Sequence, residues 1–142
     1  MGKTINTQLD DGLFTFTFSN SKGEVFSSFL MNPTDINIAV RCEEAADYFA
    51  AREKEASGVM GAAQMAKLNA ELEEKLVYVL GYDARPTLFK APMTATTILP
   101  TGDLFAVVIL ETIKKAVEPE IRKRGERMQK AAAKYTDKYE RV

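Results

Sequence analysis

Residues 12–30 read GLFTFTFSNSKGEVFSSFL, and their alternation decides the fold class. Phe14, Phe16 and Phe18 fall on one side of an extended chain and Thr15 and Thr17 on the other, the period-two signature of a strand with one apolar face. SNSKGE supplies turn residues, and VFSSFL returns as a second, weaker strand. The stretch predicts an antiparallel hairpin over residues 12–30. A lone hairpin is marginal in water, so helices or a neighbouring subunit must cover its phenylalanines.

Downstream, the pattern changes to helical spacing. In MNPTDINIAVRCEEAADYFAAREKE, residues 31–55, Asn32 can cap, Pro33 suits a first helical position and Asp35 favours the helix dipole. Ile38, Cys42, Ala45, Ala46 and Phe49 form an apolar stripe, with Glu43, Glu44 and Asp47 largely off it. Gly58 and Gly61 mark a connection. A second helix over roughly residues 63–80 buries Met65, Leu68, Leu72, Leu76, Val79 and Leu80 and stops at Gly81.

Residues 81–102 hold Pro86, Pro92 and Pro100, which forbid a continuous helix. Within them, GYDARP at 81–86 suits a local anchor, Asp83 bonding nearby amides and Arg85 pairing with it. Thr101 or Asp103 then caps a helix whose run from Leu104 to Leu110 is apolar nearly all round, making it the expected central core helix. Pro119 is expected to kink or restart the chain before a last helix over about residues 119–139.

The expected architecture is α+β: an N-terminal antiparallel β-hairpin packed on a bundle of about four helices, ending in a long C-terminal amphipathic helix. One domain, residues 1–142, divides into the hairpin at 12–30, a helical core at 32–118 and a basic amphipathic helix at 119–142. Fully buried, Phe16 and Ile109 would each be worth several kcal/mol to the fold.

Charge is distributed unevenly. The chain carries a net −1, yet residues 31–60 hold six acids and three bases, whereas residues 120–142 hold eight bases and four acids. At 100° per residue, Lys123, Arg127, Lys130, Lys134, Lys138 and Arg141 share a sector of roughly 80°. Ile121, Met128, Ala132, Tyr135 and Tyr139 lie opposite. The basic back is either a solvated face, paired locally through Glu126 and Asp137, or a contact for an acidic protein surface. Such a surface exists in the chain itself: Glu43, Glu44 and Asp47 of a second copy. Nucleic acid is the weakest reading, because the pI is near 5.6 and no zinc spacing, RNA-recognition aromatics or helix-turn-helix appears. The apolar belly, with Tyr135 and Tyr139, belongs either to the domain's own core or to an interface.

Enzymatic function is not expected. With no histidine, Ser-His-Asp and Cys-His systems are impossible in this chain alone, and no Walker-type loop or GxGxxG is present. No catalytic, cofactor or metal site is assigned. Cys42, on an apolar stripe, reads as a buried small hydrophobe, and a single cysteine fits a reducing setting. No segment reads as a membrane span, and MGKTINTQLDD lacks the apolar core of a secretory signal.

The phrases NPTDINIAVRCEE, LGYDA and MTATTILPTGDLF, set between a phenylalanine-rich hairpin and a charged helical end, give the chain a likeness over about residues 12–139. It resembles the tail assembly chaperones of long-tailed bacteriophages. That resemblance implies a non-enzymatic, self-associating protein in the cytoplasm of a bacterial host cell. It would coat the tape-measure protein until tail-tube subunits polymerise around it. The protein-binding residues expected on this reading are Lys123, Arg127, Lys130, Lys134, Tyr135, Tyr139, Glu43, Glu44 and Asp47. Two alternatives remain: a structural virion component, such as a tail-tube, connector or completion protein, and a small nucleic-acid-binding regulator.

Overall fold

The computed structural model describes residues 2–56, 58 and 60–140, with the backbone alone for Ala56 and residues 137–140. Its architecture is α+β, as the alternation and the helical stripes require. Strands β1 (Phe14–Ser19) and β2 (Val25–Met31) pair antiparallel, with Phe16 opposite Phe29 and Thr15 opposite Leu30. The register slips between Phe18 and Ser19, a bulge that leaves Phe26 without an opposite residue. Phe26 is thereby turned toward Phe105, with ring centroids 5.9 Å apart.

Helices α1 (Ile36–Ala56) and α2 (Ala62–Leu80) follow, then a single turn, α3 (Arg85–Leu88), and the 36-residue α4 (Phe105–Glu140). α1 packs against both α2 and α4. The core contains Ile38, Cys42, Ala45 and Phe49 from α1 and Leu68, Leu72, Leu76 and Val79 from α2. The proximal half of α4 adds Phe105, Ile109, Ile113 and Val117, so the segment after Leu104 is the central core helix. Burying one such side chain contributes about 1.5–3 kcal/mol. Phe16 and Phe18 pack against this core but, like Phe14, are only half-buried, so full burial of Phe16 does not hold. β1 therefore lies at the rim, whereas Ser27, Phe29 and Met31 of β2 are buried.

Helix ends correct three expectations. Pro33 is not in a helix: Asn32 accepts the Thr34 N–H at 3.2 Å in a turn, and Pro33 is buried there. Asp35 caps α1 instead, taking the Asn37 N–H on its carboxylate at 2.9 Å. Neither Thr101 nor Asp103 caps α4. Its first donors go to loop carbonyls, Phe105 N–H to Thr97 at 2.9 Å and Ala106 N–H to Ala95 at 3.0 Å. Asn69 of α2 holds that loop by accepting the Thr96 N–H at 3.1 Å.

Pro119 neither breaks nor restarts the chain. It sits inside α4, on the exposed side beside exposed Lys115, whose carbonyl loses the donor. Water can satisfy that carbonyl, so the two segments expected on either side of residue 118 are one helix. By contrast, Gly81 ends α2 as the sequence suggests, at φ 80°, its N–H bonding to Val77 at 2.9 Å.

Candidate protein-binding surfaces

α4 divides into a buried half and a projecting one. Val117 is buried and Ile121 half-buried, but every residue from Glu126 to Thr136 is exposed. The 1.5 Å rise per residue carries that stretch roughly 16 Å beyond the body. Met128 is 69% and Tyr135 65% exposed, so these two residues of the apolar belly are not part of the chain's own core. Lys123, Arg127, Lys130 and Lys134 are exposed on the same helix. The Tyr139 side chain lies outside the described residues, as do those of Asp137, Lys138 and Arg141.

Local pairing differs from the expected pattern. Arg122 meets Glu118, four residues back, at 3.7 Å rather than Glu126, and both are mostly exposed. Contacts of this kind contribute only tenths of a kcal/mol. Among the described residues, no ion pair joins the basic back to an acid elsewhere in the chain.

Arg124, inside the basic run but off its shared sector, has a different task. It meets Glu120 at 2.9 Å, donates to the Gly12 carbonyl at 2.9 Å and lies 5.5 Å over the Phe14 ring. Gly12 has φ 71°, and a Cβ there would come within 2.6 Å of the Arg124 guanidinium. This residue clasps the hairpin's entry strand to α4. Its displacement by 100° from Lys123 is the sequence signal that separates it from the solvated bases.

The acidic trio on α1 is exposed, as expected of residues off the stripe. Glu44 accepts a hydrogen bond from Tyr78 at 3.1 Å and, with Tyr48, Glu71, Glu74 and Lys75, lines a groove of about 460 Å³ between α1 and α2. Lys75 lies 4.8 Å over the Tyr48 ring, and Tyr48 donates to Glu71 at 3.0 Å. Loss of solvent, then the Glu71 hydrogen bond and charge, raise the Tyr48 phenol above its ordinary pKa. Glu43 instead borders a hollow of about 290 Å³ with Lys114, Glu118 and Ile121. Thus Glu44 and Glu43 open onto two different hollows, and Asp47 lines neither of them.

Asp83 and Arg85 form the local anchor read from GYDARP. Arg85 donates to both carboxylate oxygens at 2.8 Å, and its N–H adds a third bond at 3.1 Å. These hydrogen bonds lower the Asp83 carboxyl to about 2. Cys42 is buried, and burial pushes its thiol up to about 11 against a smaller opposing effect of Lys114. In native buffer at pH 8, iodoacetamide should therefore leave Cys42 unmodified, and denaturant should expose it fully. Stoichiometric native labelling by intact mass would place Cys42 at the surface.

Among the described residues, no group of three or more His, Cys, Asp or Glu side chains is placed to hold a metal ion, and no helix is long and apolar enough to cross a membrane. No protein family, curated protein or solved structure matches the chain.

Proposed function

We propose that the protein is a non-enzymatic tail assembly factor of a long-tailed bacteriophage. In this reading it self-associates and binds a helical protein, such as the tape-measure protein, in the host cytoplasm. The observation that carries the reading is α4, whose exposed stretch from Glu126 to Thr136 presents Met128 and Tyr135 on one side and lysines and an arginine on the other. An acidic amphipathic helix fits both sides at once, apolar belly to apolar seam and basic back to carboxylates. The resemblance of the sequence to tail assembly chaperones supports the choice of partner.

Co-expression with a tape-measure protein of a long-tailed bacteriophage tests the reading. The wild-type chain should co-purify with it, and Lys123→Glu, Arg127→Glu and Lys130→Glu together should reduce capture at least about tenfold with helix content unchanged. Capture should also weaken between roughly 50 and 500 mM salt as screening grows. If Glu43→Lys, Glu44→Lys and Asp47→Lys restore association in the triple variant, the basic back contacts a second copy instead. Undiminished capture by the triple variant would reduce the stripe to a solvated helix back. Mass spectrometry of purified particles should find the protein absent; its presence there would favour a structural virion component.

A further inference from the structure

The hairpin has two outer edges, and the one on β2 is covered by Tyr82 and α3. On β2, the Tyr82 hydroxyl accepts the Leu30 N–H at 2.8 Å and donates to the Leu30 carbonyl at 2.8 Å. Leu30 therefore points its backbone groups away from β1, so Leu30 and Thr15 are a non-hydrogen-bonded pair. It follows that Thr15, and by alternation Thr17, point their own N–H and C=O groups outward from β1. Nothing among the described residues bonds to them. The opening ends at Leu13, whose N–H is taken by the Asp11 carboxylate at 3.0 Å.

We infer that this open edge of β1 pairs antiparallel with β1 of a second copy, about a twofold axis through Phe16. The sequence of the strand selects that occupant. Phe14–Phe18 reads FTFTF, the same in both directions, so the axis sets Thr15 opposite Thr17, Phe14 opposite Phe18 and Phe16 opposite itself. The register places each outward Thr15 against an outward Thr17, the arrangement in which two residues exchange both backbone bonds. Phe16 then meets its symmetry mate in a close pair, and phenylalanines left half-buried by the monomer gain a neighbour across the axis.

Charge agrees with this register. Edge strands are commonly guarded by lysine or proline, yet residues 12–21 contain neither, nor any acid. Continued beyond the strand, the same register carries Asp10 and Asp11 of one copy alongside Lys22 of the other. The closed edge matters as well. Tyr82 and α3 cover β2, so pairing yields a four-stranded sheet and stops at two copies instead of growing into a fibre.

Self-association belongs to the functional reading above and the inference rests on it for the existence of a second copy; the strand contributes the surface and the register. Sedimentation at micromolar concentration should give twice the 15.8 kDa chain mass. Thr15→Lys with Thr17→Lys places like charges opposite each other at both exchanged pairs and should weaken association at least about tenfold, with an unchanged circular dichroism spectrum. Thr15→Cys with Thr17→Cys should form covalent dimers under mild oxidation, Cα atoms of exchanged pairs lying about 5.5 Å apart, within disulfide reach. Thr15→Cys alone should not, since its symmetry mate is out of register. Wild type that stays monomeric, or associates undiminished in the lysine variant, overturns the inference. If the lysine variant fails to fold, the cysteine pair decides, and an associating protein that gives no cross-link again overturns it. Loss of tape-measure capture with the cross-link intact would count against the functional reading alone.

Discussion

Phe105→Ala should cost about 3–5 kcal/mol, the largest single-residue effect expected in the protein. Phe105 is buried, and the rings of Phe18, Phe26 and Phe89 surround it at centroid distances of 5.3, 5.9 and 6.2 Å. Those rings come from β1, β2 and the segment after α3, so the side chain ties the hairpin and that segment to α4. Total stabilities of domains this size run to about 5–15 kcal/mol, and the loss would consume a large share. Chemical denaturation should show the midpoint falling without a change in slope. Hydrogen exchange should quicken most in the hairpin, which loses its anchor, and least between α1 and α2. A loss below about 1 kcal/mol would mean that the hairpin is held by something other than this ring.

Ile109→Ala should cost about 2–5 kcal/mol, because the side chain is wholly buried one turn further along α4, where the helix meets the core. Phe16→Ala should cost less despite the larger deletion. Its ring stacks on Phe29 at 4.9 Å but keeps a solvent-facing side, so truncation leaves a notch and not a sealed cavity. The difference between the two should narrow as protein concentration rises if Phe16 sits on a twofold axis, since association then stabilises only the native chain. Equilibrium unfolding at two concentrations measures this. A Phe16→Ala cost exceeding that of Ile109→Ala at low concentration would reverse the assignment of core and rim.

The elements legible in the sequence were those where one local period dominates. Alternating phenylalanines and threonines specify β1, and the leucine spacing of α2 leaves one buried side with a glycine stop. What was not legible depended on partners distant in sequence or on solvent. Pro119 looks like a break because its missing donor is a local fact, while the exposure of Lys115, which makes that loss cheap, is a tertiary one. The start of α4 is capped by carbonyls of Ala95 and Thr97 and so leaves no capping residue to read. Arg124 is hidden among bases whose neighbours are solvated. Its bond to Gly12 spans 112 residues of chain. Lys123, Arg127, Lys130 and Lys134 were placed correctly on an exposed helix face, whereas the exposure of Met128 and Tyr135 follows only from where the body ends.

The projecting part of α4 also has a thermodynamic consequence. An isolated helix of a dozen residues is marginal in water, because nucleation is unfavourable and each added turn gains little. The turns from Glu126 to Thr136 are exposed, so their order is borrowed from the turns anchored as far as Arg124. Their local stability is therefore nearly separate from that of the body. A partner that docks there must supply the free energy of ordering as well as of contact, which lowers its net affinity and keeps its departure fast. Such a helix can be released from its partner without any loosening of the core that carries it.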